Sequence, residues 1–210
     1  LYAAIILYSP QRIRCICNAE GGCISIENVL HKCPLFAGIQ AGQLASLLRC
    51  LNAGTARYAK DEFIFSVDKR ADRIGIVLAG GANVIQEDFW GNRAILTHVG
   101  VGDLFGEAFS CAGTQKLPVS VVAAEATEIM LIDYRRIITT CPHSCVFHAG
   151  LIANMLRIIA NKNIMLTRKL EFMSKRTTRE KLLSFLSAQA VDAHSNEISI
   201  PFNRQELADY

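Results

Sequence analysis

The 210-residue chain has no apolar run long enough to cross a membrane. Its apolar start, Leu1-Tyr-Ala-Ala-Ile-Ile-Leu-Tyr8, falls far short of the roughly 20 residues a bilayer needs, and no basic segment precedes it. It therefore reads neither as a membrane span nor as a secretory signal. Net charge is also scarce. The 22 Lys plus Arg stand against 19 Asp plus Glu, a formal +3 that is too small to argue for nucleic acid by itself. A P-loop, a Ser/His/Asp set and carboxylates paired at a suggestive spacing are all missing, so no catalytic role is expected. The eight cysteines, Cys15, Cys17, Cys23, Cys33, Cys50, Cys111, Cys141 and Cys145, lack the dense framework of a small secreted domain. Most are expected to be the reduced thiols of a cytoplasmic protein.

What the chain does have is 51% hydrophobic residues, enough for a substantial core, arranged in three successive patterns. From Gln40 to Leu51, the residues Leu44, Leu47, Leu48 and Leu51 recur at helical spacing. From Gly54 to Asp133 the pattern changes to short runs: Glu62–Phe65, Arg73–Leu78, Ala82–Ile85, Ala94–Leu96, Ser120–Ala123 and Glu128–Ile132. Glycines stand at the corners, as in an antiparallel roll or barrel. After Cys141-Pro142 the pattern turns helical for more than forty residues. Here Ile152, Leu156, Ile159, Asn163, Leu166, Leu170 and Met173 advance by four and three, the a/d spacing of a coiled-coil seam. The alternative is one amphipathic helix lying on its own barrel. A polar Asn163 within the seam favours a homodimer, where a buried amide pairs with its symmetry mate. The helix should break near Lys175-Arg-Thr-Thr178, and Thr177 or Thr178 should cap a second helix running from Glu180 to Ala190. Glu197–Ile200 is predicted to be a short strand, and Asn203-Arg-Gln-Glu206 reads as a capping box. A first residue other than Met and an end inside a helical pattern lead us to expect a fragment of a longer parent.

In order and spacing these segments resemble the CRP/FNR transcription regulators, from about Asn28 to Tyr210. The likeness is carried by Cys33-Pro-Leu-Phe-Ala-Gly-Ile39, Tyr58-Ala-Lys-Asp-Glu-Phe-Ile-Phe65, Ile76-Val-Leu-Ala-Gly80, Gly102-Asp-Leu-Phe-Gly-Glu107 and Ile200-Pro-Phe-Asn-Arg-Gln-Glu-Leu-Ala-Asp-Tyr210. The resemblance implies an α+β fold, with an antiparallel β-roll of the cyclic-nucleotide-binding type, a long dimerisation helix and the start of a winged helix-turn-helix. The corresponding divisions are 1–27, an N-terminal extension; 28–145, the sensor; 146–175, the dimerisation helix; and 176–210, an incomplete DNA-binding domain.

In cyclic-nucleotide members of this family, a Gly-Glu pair takes the ribose, and an Arg followed by Ser or Thr about ten residues later neutralises the phosphate. Gly106 and Glu107 match the first pair, but Leu117 and Pro118 stand where the Arg and its neighbour would be. A buried anion needs a charged partner, and the adjacent Lys116 offers only a point charge. Cyclic AMP and cyclic GMP are therefore disfavoured, and the effector is expected to be another small molecule. The expected pocket lies between Gly106, Glu107, Lys116, Leu117 and Pro118 on the roll and Asn163 and Thr167 on the long helix. Some family members hold an iron–sulfur cluster. Cys15, Cys17, Cys23, Cys33 and Cys111 resemble that arrangement loosely, so cluster or dithiol sensing is the alternative chemistry. Haem ligation by His98, His143 or His148 is a weaker reading than a structural role. Eight basic residues between Arg157 and Lys181 concentrate charge late in the chain. Arg176, Arg179, Lys181 and Arg204 are the candidates for phosphate contact on DNA, although such a basic helix end can also be merely solvated. The resemblance thus implies a DNA-binding homodimer with an unidentified effector, RNA polymerase as a further partner and no membrane. A regulatory module that never touches DNA is the alternative of another class.

Overall fold

The alternating runs form strands because each must bury one side chain in two, and here both faces of the central strands are used. The computed structural model describes residues 6–7, 15–17, 23–70, 72–90, 92–139, 147–195, 197–200 and 202–209. The first strands are β1 (Ile6–Leu7), β2 (Cys15–Cys17) and β3 (Cys23–Ser25). Next come helix α1 (Ile26–Lys32), a 3-10 turn at Pro34–Phe36 and α2 (Ala41–Cys50). The roll follows as β4 (Gly54–Tyr58), β5 (Phe63–Phe65), β6 (Arg73–Ala79), β7 (Ala82–Glu87), β8 (Arg93–Val99), β9 (Leu104–Phe105), α3 (Glu107–Cys111), β10 (Ser120–Ala123) and β11 (Thr127–Asp133). It leads through α4 (Arg135–Ile138) into the long α5 (Phe147–Met173), then α6 (Thr178–Ala193) and α7 (Arg204–Asp209).

Two antiparallel sheets face each other, ordered β1-β4-β11-β6-β9 and β5-β10-β7-β8, with β2 and β3 paired separately. Side chains alternate across a strand, and β6 and β11 use both faces. Ile74, Ile76 and Leu78 of β6, with Met130 and Ile132 of β11, join the core built with α1, α2 and α5. The intervening Val77, Ile129 and Leu131 fill the roll interior with Val99, Phe105 and Val121. The rings of Phe65 and Phe105 meet edge to face there, with centroids 5.2 Å apart. Gly75 is required by that packing, because a Cβ at this position would collide with the Phe105 ring.

The sequence expectations hold for the roll and for the helices on either side of it. Thr177 caps α6 in a complete capping box, its hydroxyl accepting from the Glu180 N–H while the Glu180 carboxylate accepts from the Thr177 N–H. Asn203 and Glu206 form the same reciprocal pair at α7. Glu197–Ile200 is not a strand. Four alternating residues do not make a ladder without a neighbour to pair with. Helix α1 starts at Ile26, before the expected boundary at 28, and the expected boundary at 145/146 lies outside the described residues.

Candidate effector site and the helix across it

Gly106 joins β9 to α3 in the left-handed region at φ +83°, a conformation that favours glycine. A Cβ there would also come within 2.9 Å of the Phe65 ring and 3.2 Å of the Arg73 carbonyl. This tight corner places Glu107 at the start of α3 with its side chain only 3% exposed. Its Oε1 lies 2.8 Å from the Lys162 ammonium of α5, and its Oε2 is buried with no hydrogen-bond partner among the described residues. Lys162 Nζ also donates to the Leu104 carbonyl at 2.5 Å. Ser110, on the same short helix, donates to the Arg73 carbonyl at 3.2 Å and so holds α3 against β6.

At the other end of the expected pocket, Leu117 is buried and bridges backbone to backbone, donating to the Lys69 carbonyl and accepting from the Asp68 N–H, both at 2.9 Å. Pro118 is exposed. Lys116 points to exposed Asp68 at 3.7 Å, so it supplies no buried positive charge to the roll.

The expectation for α5 needs correction. Asn163 and Thr167 are exposed, and Thr167 Oγ1 donates back to the Asn163 carbonyl 3.0 Å away, so neither reaches the roll. The residue that reaches Glu107 is Lys162. Lys169, one heptad further, donates to the Ile95 and Leu96 carbonyls at 3.1 and 2.9 Å, and burial pushes its pKa down to about 8. The side of α5 against the body of the protein thus runs through Leu151, Met155, Ile158, Lys162 and Lys169. Each of these lies one residue before a position of the expected seam, about 100° around the helix. The seam forms its own stripe: Ile152, Leu156, Leu166, Leu170 and Met173 are exposed, and Ile159 packs partly on the core. The sequence reading missed Lys162 and Lys169. Their signal was a second stripe beside the first, apolar at Leu151, Met155 and Ile158 and basic at Lys162 and Lys169, with exposed Met165 between the two lysines.

The cysteines assemble no metal centre among the described residues. Cys33 is fully buried in the core, where loss of solvation pushes its thiol up to about 12. Cys111 is an exposed thiol on α3, also raised by burial of its surroundings and then by Glu107. The backbones of Cys15, Cys17 and Cys23 lie in the β2–β3 pair, while their side chains, with Cys141, Cys145 and His143, fall outside the described residues. His98 Nδ1 meets Asn83 Oδ1 at 2.8 Å, and burial lowers its pKa. His148 Nε2 is 2.9 Å from the Arg136 carbonyl. Both histidines have structural partners. Arg176, Arg179 and Arg204 are exposed and Lys181 is half-buried, around the start of α6 and at α7. No helix among the described residues is long and apolar enough to cross a membrane.

Roll, buried acidic corner and overlying helix make up a jelly-roll domain with a long helix packed across it. Residues 55–144 match the family model described as "Cyclic nucleotide-binding domain". Solved structures of the same fold include CLP, the c-di-GMP responsive global regulator of Xanthomonas campestris. It is 20% identical, with a TM-score of 0.64 over 81% of this chain and 84% of its own. A cyclic nucleotide-binding domain from Methylobacillus flagellatus KT is 15% identical, with a TM-score of 0.60 over 73% and 84% of the two chains. The sensor domain of the transcriptional regulator DNR from Pseudomonas aeruginosa is 15% identical, with a TM-score of 0.53 over 72% and 94%. At these identities the likeness is one of fold. No curated protein matches the chain.

Proposed function

We propose that the chain is the sensing and dimerising part of a ligand-responsive, DNA-binding transcription regulator of the CRP/FNR type, acting as a cytoplasmic homodimer with an effector other than cyclic AMP or cyclic GMP. The observation that carries this reading is the apolar ridge on α5. Leu156, Leu166, Leu170 and Met173 are 65%, 56%, 70% and 47% exposed while the neighbouring stripe is already committed to the chain's own roll. A two-fold partner bringing the same ridge would cover it, with Asn163 meeting its counterpart to fix register. Effector binding under α5 would then alter how two such helices cross, and so the spacing of two DNA-reading elements in the dimer. Leu117 at the phosphate position supports an effector without a cyclic phosphate.

The test is sedimentation equilibrium of the chain and of Leu166→Glu/Leu170→Glu. A dimer is expected for the former and a monomer with unchanged circular dichroism for the latter, since both side chains are exposed in the single chain. A wild-type monomer, or a dimer that survives the double substitution, sinks the reading. Calorimetric titration with cyclic AMP and cyclic GMP should give no heat of binding, and saturable heat at micromolar ligand would restore a nucleotide sensor.

A further inference from the structure

A carboxylate with its side chain 3% exposed needs a partner, because burying an unpaired charge is strongly unfavourable. For Glu107 that partner comes from within the chain. Lys162 is anchored on α5 with its side chain 37% exposed, and its ammonium reaches both Glu107 Oε1 and the Leu104 carbonyl. The glycine that precedes Glu107 abuts the Phe65 ring, which packs with Phe105 in the roll interior. Lys162 leads an ordinary amphipathic life, with its stem along the helix and its charge at the far end, except that the charge ends on an acidic corner of another element instead of in water.

We propose that Lys162 is a tethered ligand of the roll: its ammonium occupies the seat on Glu107 that a diffusible effector would have to take, and so joins the sensor to the second half of α5 without any small molecule. A ligand entering this seat has to exchange for a primary ammonium. It must therefore itself bring N–H donors and positive charge to Glu107, whose second oxygen still lacks a partner among the described residues. Small primary ammonium compounds are the matching class. Exchange frees Lys162 from both Glu107 and Leu104 and leaves Lys169 to hold this half of the helix. The inference rests on reading the Gly106–Pro118 corner as the effector site, but not on DNA binding or dimerisation.

The test uses the whole 210-residue chain. Lys162→Ala removes the side chain beyond Cβ, which propylammonium replaces atom for atom. The variant should melt several degrees lower than wild type, on a scale of about 2–4 °C per kcal/mol for a chain of this size. Propylammonium should restore most of that loss, and tetramethylammonium at equal ionic strength, having no N–H, should restore none. In a Glu107→Gln background the same substitution should cost little and propylammonium should do nothing. Equal losses in both backgrounds, or equal rescue by the two cations, overturn the proposal and reduce Lys162 to a cap on Leu104. Should Glu107→Gln fail to fold, hydrogen exchange of Lys162→Ala against wild type decides. Faster exchange confined to residues 162–173 supports the tether, and unchanged or uniformly raised exchange along α5 overturns it. Absence of dimerisation or of DNA binding leaves all of these readouts intact, so failure of the preceding reading is separable from failure of this one.

Discussion

The two halves of α5 rest on the same molecule by different chemistry. From Phe147 to Ile159 the contact is dry: Leu151, Met155 and Ile158 are buried in the main core, each contributing about 1.5–3 kcal/mol by burial. Asn154 adds a polar fix, its amide donating to the Leu35 carbonyl at 3.0 Å and the Ala37 carbonyl at 2.9 Å. From Lys162 to Met173 the apolar residues are exposed or turned elsewhere, and two ammonium groups hold the helix to backbone carbonyls and one carboxylate. Hydrogen bonds made by charged groups contribute roughly 1.5–3 kcal/mol, but the desolvation of each ammonium offsets much of that gain. A hydrocarbon interface resists sliding because its packing is specific to shape, whereas an ammonium on a four-carbon stem can change carbonyls. One continuous helix is thus fixed at its beginning and adjustable at its end.

The comparison is broken most directly at Leu151. Leu151→Ala should destabilise the chain by about 2–5 kcal/mol, the range for a fully buried leucine, as measured by urea denaturation. A cost under about 1 kcal/mol would mean that the first half is no better seated than the second, since surface substitutions fall in that range. Next in size is Asn154→Ala, which leaves the Leu35 and Ala37 carbonyls without their amide donor. It should cost about 1–3 kcal/mol. Asn154→Asp should be worse at neutral pH than Asn154→Ala, because a carboxylate would face two carbonyl oxygens in a buried position. Equal stabilities of these two variants would show that water has taken over the site.

The roll was legible because its strands obey one strict rule. Ile74, Ile76 and Leu78 alternate with Gly75 and Val77, and that alternation alone assigns residues to the helix-packed face or to the interior. The capping boxes at Thr177 and Asn203 were legible for a similar reason, since both partners lie three residues apart. The contacts of α5 were only half legible. A four-three spacing of apolar residues announces a stripe but not which stripe meets the chain's own body. The apolar ridge ending at Met173 attracted the reading that its inward neighbour deserved equally. Lys162 and Lys169 were hidden because an ammonium that seeks backbone carbonyls leaves no pattern in its partners: Leu104, Ile95 and Leu96 are recruited for their peptide oxygens, not their side chains. Glu107 was visible as a candidate, but its partner, 55 positions away on another element, was not. The apparent strand at Glu197–Ile200 failed because alternation describes a strand only where another strand is within reach.

The smallest effect sharpens the comparison by pH. The ordinary pKa of Lys169 is 10.5, and burial in the folded chain lowers it to about 8. Between these values the unfolded chain keeps a proton that the folded chain has released, so unfolding takes up a proton and stability rises with pH. Below about 8 both states hold the proton and the contribution to the slope vanishes. Cys33 works in the opposite sense: its thiol moves from 9.0 to about 12, so the folded chain keeps a proton that the unfolded chain loses, and stability falls above pH 9. The two are best separated between pH 8 and 9, before the unfolded thiol titrates. There the wild-type chain should gain stability and Lys169→Met should not, as read from denaturation midpoints at matched ionic strength. The first half of α5 supplies the internal control, because Leu151→Ala should shift the whole curve without changing its slope. Parallel curves for wild type and Lys169→Met would mean that the second half of the helix leaves its ammonium in water, and the distinction between a fixed and an adjustable half would then rest on Lys162 alone.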